Sequence, residues 1–304
     1  MQPRPLFVAF AFAVLLLSGG DVQAAQPAPK PAAELAALRA RAAKGEAAAQ
    51  FDLSQRILNG ETGSMDGAEA LRLCRAAAEQ GHVQAQFALG CLLADFQGKR
   101  AEAIGWWRKA AEKGDVGSQF NLGNAYRLGN GVERDAAEAA KWYRKAAEQG
   151  HPYAQFSLGL ALSNGDGVKK DLAEAIAWYR KSAEGGADKA QFNLGNAYWN
   201  GVGAPQDYAE AAKWYRKAAE QGMAAAQLNL AECLLKGYGQ PKDIDEACAW
   251  LLLAQDRNAT ARAALQMVVM QSDISDERQR AIERRAAALA KEIEARPAPR
   301  GWSK

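Results

Sequence analysis

From Val116 to Leu128 the apolar and small residues fall at helical spacing, with Phe120, Gly123 and Tyr126 on one side and Leu122 and Ala125 on another. The stretch GNGVERD (Gly129–Asp135) interrupts that pattern. Its glycines permit positive φ, and Asp135 is placed to cap whatever follows. The pattern resumes over Ala136–Gln149, where Ala139, Trp142, Tyr143, Ala146 and Ala147 make one stripe, and Gly150 is positioned as a left-handed stop. The spacing predicts two helices joined by a short turn.

The same pattern recurs along the chain. A glycine, then five residues on a glutamine set between Ala or Ser and Phe or Leu, starts copies at Gly45, Gly81, Gly114, Gly150, Gly186 and Gly222. The steps are 36, 33, 36, 36 and 36 residues. A period in this range marks a solenoid, in which each unit buries its face only against its neighbours. The predicted fold is all-α: a right-handed α/α solenoid of about six helix-turn-helix repeats with capping helices at both ends. The repeats are read as 45–80, 81–113, 114–149, 150–185, 186–221 and 222–256. The second copy is shorter in its loop at Asp95–Lys99, where a change of length costs little. Residues 32–44 are expected to form an N-terminal cap helix and residues 257–295 the C-terminal caps. In the latter, Ala259–Gln271 has Leu265 and Val268 inward, and Ser275 starts a last helix to about Ala295. The tail 296–304 is expected to be disordered.

The repeated order A-x-A-Q-F-x-L-G-x-x-Y-x-x-G-x-G-V, then D, then A-x-x-W-Y-x-K-A-A-E-x-G, resembles the Sel-1-like repeat family, a relative of tetratricopeptide repeats. The resemblance runs from about Gly45 to Asp256, and Ala154–Gly159, Gly165–Val168, Trp178-Tyr179 and Ala183-Glu184 all fall in place. The first copy departs, with Leu73-Cys74 where Trp-Tyr is expected, and the sixth has Ala231 in place of the glycine of L-G. Terminal repeats depart in this way because they cap the core. The resemblance implies a non-catalytic scaffold that binds a protein or peptide, including in the envelope and at host contacts. It also implies, for some members, hydrolysis of cell-wall material or β-lactams.

Composition agrees with a helical globular chain. It has 304 residues, 49% of them hydrophobic, with alanine abundant and β-branched residues few. A net charge of +3 gives no basic patch for nucleic acid. The N-terminus reads as a secretory signal: Arg4, the apolar run Leu6–Leu17, and Val22-Gln23-Ala24 as a cleavage site, with the cut after Ala24. Such a run is too short to span a bilayer, where about 20 residues are needed. A Pro-rich linker (25–31) follows. The mature protein is expected to be exported, periplasmic or secreted, with no stable membrane insertion.

No catalytic constellation stands out, and neither a cofactor nor a metal is expected. His82 and His151 occupy one repeat slot that elsewhere holds Glu46, Asp115, Ala187 and Met223, which reads as a solvated helix start. No phosphate-binding loop, zinc-binding helix motif or nucleophile elbow is present. The G-N-G-V loops follow helices, not strands, and are turns. Ser157 and Ser163 are the first serines to check for hydrolysis.

The aromatic stripe Trp106-Trp107, Trp142-Tyr143, Trp178-Tyr179, Trp214-Tyr215 and Trp250 repeats with the fold, so it is read as core. An aromatic cage for cell-wall glycan or exopolysaccharide is the alternative. The pairs Arg144-Lys145, Arg180-Lys181 and Arg216-Lys217 form a solvated face, or a basic ridge for an acidic polymer. The four cysteines suggest disulfides in an exported chain. Cys233 takes the slot of Ala125, Ala161 and Ala197, and Cys248 that of Ala140, Ile176 and Ala212, on facing helices of one hairpin. A Cys233–Cys248 bond is expected, with Cys74–Cys91 by elimination; four buried thiols are the alternative.

Asn121 and Asn124 share a helix face, Asn193 and Asn196 repeat the arrangement, and Asn229 repeats its first position. Asparagine has poor helix propensity, so its recurrence wants a reason. It both donates and accepts, which suits it to a peptide backbone. The N-L-G-N pattern resembles the groove asparagines of tetratricopeptide-type stacks. With the variable positions Arg127 and Trp199, these residues are the expected partner-binding groove. An inter-repeat hydrogen-bonding role is the alternative.

Overall fold

The computed structural model describes residues 32–63, 65–95, 98–271 and 274–296. The expected signal, the linker and all of the expected tail except Arg296 lie outside these residues. Among the described residues the chain is all α-helix, in fifteen helices without a strand. It falls into two compact units, one ending at Gln149 and the other starting at Gly150.

The first unit holds α1 (Ala32–Ala43), α2 (Ala47–Leu58), α3 (Gly67–Glu79), α4 (Val83–Ala94), α5 (Arg100–Glu112), α6 (Val116–Leu128) and α7 (Ala136–Glu148). Each helix packs on the one before it. The second holds α8 (Pro152–Asn164), α9 (Leu172–Glu184), α10 (Asp188–Asn200), α11 (Tyr208–Ala219), α12 (Ala224–Lys236), α13 (Ile244–Ala254), α14 (Ala259–Gln271) and α15 (Asp276–Ala295). Here α8 to α13 pack in sequence, and both α14 and α15 lie against α13. Successive packed hairpins are the arrangement of an α-solenoid, as the period predicts.

The repeated residues set the hairpins. Asp66 and Asp135 in the first unit, and Asp171, Asp207 and Asp243 in the second, cap the second helix of their repeats through backbone N–H groups. Gly129, Gly165, Gly201 and Gly237 end first helices in the left-handed conformation. The second loop glycine answers to crowding: a Cβ on Gly203 would stand 2.7 Å from the carbonyl oxygen of Leu172.

The glycine of L-G makes room for an aromatic ring. A Cβ on Gly123 would come within 2.5 Å of Tyr143, and one on Gly195 within 2.6 Å of Tyr215. Gly159 faces Tyr179 and Gly90 faces Trp107 in the same way. The atypical repeats change both members of the pair together. The first has Ser54 and Cys74 in these slots, and the sixth has Ala231 and Leu251, all four buried.

The recurring glutamine ties one hairpin to the next. Gln119 donates Nε2 to the Ala111 carbonyl at 3.2 Å, Gln191 to Ala183 at 3.1 Å and Gln227 to Ala219 at 3.2 Å. Each thereby satisfies a carbonyl at the C-terminal end of the preceding helix. The Oε1 atoms of Gln119 and Gln191 accept in turn from Gln149 and Gln221, at 2.7 and 2.8 Å.

At the chain ends the caps bury apolar surface as expected. Leu38 and Ala42 of α1 are buried with Leu53 and Ile57 of α2. Ile282, Ala286 and Leu289 of α15 join Trp250 and Leu251 in one core cluster, with Leu265 and Val268 of α14 partly buried against it.

Candidate functional site

The expected groove residues sit on first helices, and the structure gives each of the asparagines and Arg127 a polar partner within the fold. In the first unit Tyr143 donates its hydroxyl to Oδ1 of Asn124 at 2.8 Å, and Arg127 donates Nε to the same hydroxyl at 3.2 Å. Asn121 places Nδ2 3.8 Å from Sγ of Cys91. In the second unit Tyr215 donates to Oδ1 of Asn196 at 2.8 Å, and Nδ2 of Asn229 donates to that same oxygen at 3.4 Å. Burial pushes the Tyr215 hydroxyl above its ordinary range, opposed by its hydrogen bond with Asn229. Tyr179 is likewise raised by burial, opposed by hydrogen bonds with Asn193 and Ser163.

The recurrence of asparagine therefore has an architectural cause. These residues satisfy tyrosine hydroxyls whose rings are buried in the core. The asparagine face and the aromatic core meet at the tyrosine hydroxyl. One half of the amide is spared. Among the described residues Nδ2 of Asn196 donates to nothing, and Asn124 uses only its oxygen.

Trp199 is half-buried and stands in an aromatic cluster. Its ring lies edge-on to Tyr208 (5.0 Å) and Tyr238 (5.4 Å), and those two stack on each other at 5.0 Å. The Trp-Tyr stripe is core: Trp107, Trp142, Trp178, Trp214 and Trp250 are all buried. Only the partly buried Trp106 lies outside that core. The lysines of the basic pairs rest on these indoles, Lys145 at 4.1 Å from Trp142, Lys181 at 4.2 Å from Trp178 and Lys217 at 4.1 Å from Trp214. Trp178, Trp214 and Trp250 each donate Nε1 to a glutamate one turn earlier, at 3.1 Å.

All four cysteines are free thiols, so neither expected disulfide is formed. Their surroundings give the reason. Sγ of Cys74 donates to the Ala85 carbonyl at 3.5 Å and lies beside Ser54, while Cys91 lies beside Asn121 and Trp107. Cys233 and Cys248 are packed as small apolar side chains in one core cluster. Burial pushes Cys74 up to about 11 and both Cys91 and Cys233 up to about 12, far from thiolate reactivity.

The histidine slot is also corrected. It is an N-cap, and His151 is buried rather than solvated. Nδ1 of His82 accepts from the Ala85 N–H at 3.3 Å, and Nδ1 of His151 from that of Ala154 at 3.1 Å. Desolvation holds His151 down to about 4. With Nδ1 of each ring committed to a cap, neither histidine is poised as a general base. Among the described residues no group of three or more His, Cys, Asp or Glu could hold a metal ion.

Sequence reasoning passed over the buried glutamine, although it was part of the motif that defined the period. Invariance across six copies at a buried position was the available signal. It also missed Gln240, which takes a slot that Val132, Val168 and Ala204 fill elsewhere.

The family model described as Sel1 repeat matches residues 47–82, 83–115, 116–151, 152–186, 188–223 and 224–257. The chain is similar to a solved Escherichia coli structure, c5321, described as a protective antigen of uropathogenic strains displaying an SLR fold. Identity is 35% and the TM-score 0.75, over 84% of this chain and 56% of that one. It is also similar to a Sel1 repeat protein from Oxalobacter formigenes, at 35% identity and a TM-score of 0.67, over 76% of this chain and 68% of that one. This chain thus spans little more than half of the first structure and about two thirds of the second. Comparison with curated proteins gives no match. Six matched repeats, which together cover most of the described residues, show that the chain belongs to the Sel1 repeat family.

Proposed function

We propose that this chain is an exported, non-catalytic scaffold that holds an extended segment of a protein partner against its first helices. Sel1 repeat proteins are generally protein–protein interaction scaffolds and typically non-enzymatic. The observation that carries the reading is the divided amide of Asn196. Its oxygen is fixed by Tyr215 and Asn229, and its Nδ2 remains to donate to a peptide carbonyl. Asn124 offers the same half-used amide in the first unit. A donor held in place by a buried tyrosine costs little ordering on binding. The buried indoles remove most of the platform that a glycan reading requires.

Export rests on the sequence: the apolar run Leu6–Leu17 and the small-residue site ending at Ala24. Among the described residues no helix is long and apolar enough to cross a membrane. The mass of the protein recovered from a periplasmic fraction tests the cut.

The binding test uses Asn124→Asp/Asn196→Asp. Aspartate keeps the oxygen that accepts from tyrosine and replaces the free donor with a negatively charged acceptor. The full chain and this variant are immobilised and offered solubilised envelope extract. The reading expects a protein retained by the native chain and lost by the variant, with both melting alike. Retention of glycan alone, or equal retention by both, overturns the assignment of this face.

A further inference from the structure

The six repeats are internal controls for one another, and one region breaks their rules several times at once. Trp199 stands where the other repeats have Arg127, Ser163 and Leu235. Tyr208 stands where they have Ala136, Leu172 and Ile244, and Tyr238 where they have Asn130, Asp166 and Val202. These three unrelated slots, all aromatic at this one place, converge in a single cluster. Tyr238 is 39% exposed.

Next to it lies an open groove of about 360 Å³, lined by Lys213, Arg216 and Lys217 of α11 and by Gly239 and Gln240 of the loop between α12 and α13. Gln240 is the fourth departure, a polar residue in an apolar slot. Its Oε1 accepts from Nη2 of Arg216 at 3.3 Å, which fixes the orientation of the amide. Among the described residues its buried Nε2 has no hydrogen-bond partner. An unpaired amide donor is costly, and a ligand that accepts from it relieves that cost.

The groove also keeps unspent positive charge. Glu246 is engaged by Arg285 at 2.8 Å and by the Trp250 indole at 3.1 Å, and reaches Arg216 only at 3.7 Å. Lys213 pairs with Glu210 at 2.8 Å, and Glu220 pairs with Arg296 at 3.1 Å. Among the described residues Lys217 pairs with no carboxylate, and it rests on Trp214. Arg285 also pairs with Glu292 at 3.3 Å, so the cations Lys213, Arg216, Lys217, Arg285 and Arg296 exceed the carboxylates Glu210, Glu220, Glu246 and Glu292 by one.

We propose that this groove and the aromatic cluster beside it are a docking site for an acidic peptide segment. A carboxylate of the segment accepts from Nε2 of Gln240 and pairs with Arg216 and Lys217. A neighbouring proline or aromatic side chain packs on Tyr238 and Trp199. The site deepens the scaffold reading and rests on it. The mix of Trp, Tyr and Arg around a desolvated polar group is that of an interaction hot spot, which favours protein over glycan.

The test titrates the full chain calorimetrically with three probes: a capped hexapeptide of glutamate and proline, its lysine counterpart, and tetragalacturonate. Saturable binding of the acidic peptide alone is expected. It should weaken about tenfold or more in Gln240→Val, the residue the repeat itself uses, and in Arg216→Ala. No saturable binding, binding indifferent to Gln240→Val, or binding of tetragalacturonate in place of the peptide each overturns the proposal. If the native chain captures an envelope protein and both variants capture it equally, this site is wrong and the scaffold reading stands. If the native chain captures no protein, the scaffold reading itself fails.

Discussion

Tyr215 of α11 donates its hydroxyl to Oδ1 of Asn196 on α10 at 2.8 Å, while its ring fills the space a side chain on Gly195 would need. One residue thus holds two neighbours on the facing helix, one by a hydrogen bond and the other by excluding every side chain larger than hydrogen. The polar contact and the steric one are separable by substitution.

Asn196→Ala removes the acceptor of the buried Tyr215 hydroxyl and leaves it only Asn229, and is expected to cost about 1–3 kcal/mol of unfolding free energy. Asn196→Ala/Tyr215→Phe removes both partners and should recover part of that loss. Urea denaturation of the two single variants and the double variant measures the coupling. Additive losses would show that the hydrogen bond contributes nothing to stability.

Gly195→Ala places a Cβ 2.6 Å from the Tyr215 ring. Overpacking of this kind costs roughly 1–3 kcal/mol. The chain already contains the remedy, since its sixth repeat has Ala231 with Leu251 in the equivalent slots. Gly195→Ala/Tyr215→Leu is therefore expected to be more stable than Gly195→Ala alone, as read by thermal unfolding.

Gln191→Met keeps the length of the side chain and removes its bonds to Ala183 and Gln221. Both groups are left short of a partner, for an expected loss of about 1–3 kcal/mol. Hydrogen exchange should show the effect at the end of α9. Unchanged exchange there would mean that water replaces the glutamine.

His151 has a folded pKa near 4 against 6.5 for the ordinary side chain. The unfolded chain therefore binds the extra proton first, so the contribution is fully present above pH 6.5 and is lost as pH falls toward 4. The difference corresponds to at most about 3 kcal/mol. His151→Asn retains an acceptor for the Ala154 N–H and cannot titrate. The stability gap between the native chain and this variant should shift against the native chain between pH 6.5 and 4.5. A gap independent of pH would place the proton elsewhere.

The fold was legible because its signals repeat. Six copies of a glycine, a glutamine and an apolar stripe fixed the hairpins, and a one-residue error in any copy would have broken the register. The caps were legible for the same reason, as at Asp135 and Gly129. The site was less so. Asn124 and Asn196 are read from their shared helix face as groove residues, because helical phase assigns a direction to Cβ and not to the reach of a tyrosine across the hairpin. The cysteine slots showed inward placement, but inward residues of one hairpin need not bring two sulfurs together. His151 was misread because residue types as different as Asp115 and His151 both accept from a helix N-terminus.

The ring of Tyr215 and the glycine that receives it belong to the same repeat, whereas Asn229, which neighbours its hydroxyl, belongs to the next. A duplication or deletion of one whole period carries each ring and its socket together. The core therefore survives a change in copy number that no single substitution in it would match. What a newly made junction has to supply is the seam between consecutive copies: apolar contacts such as those of Ala218 and Ala219 with Ala226 and Leu230, and the polar stitch laid over them. A change of length in whole repeats therefore asks of each new join both a matching apolar face and a glutamine and an asparagine in register.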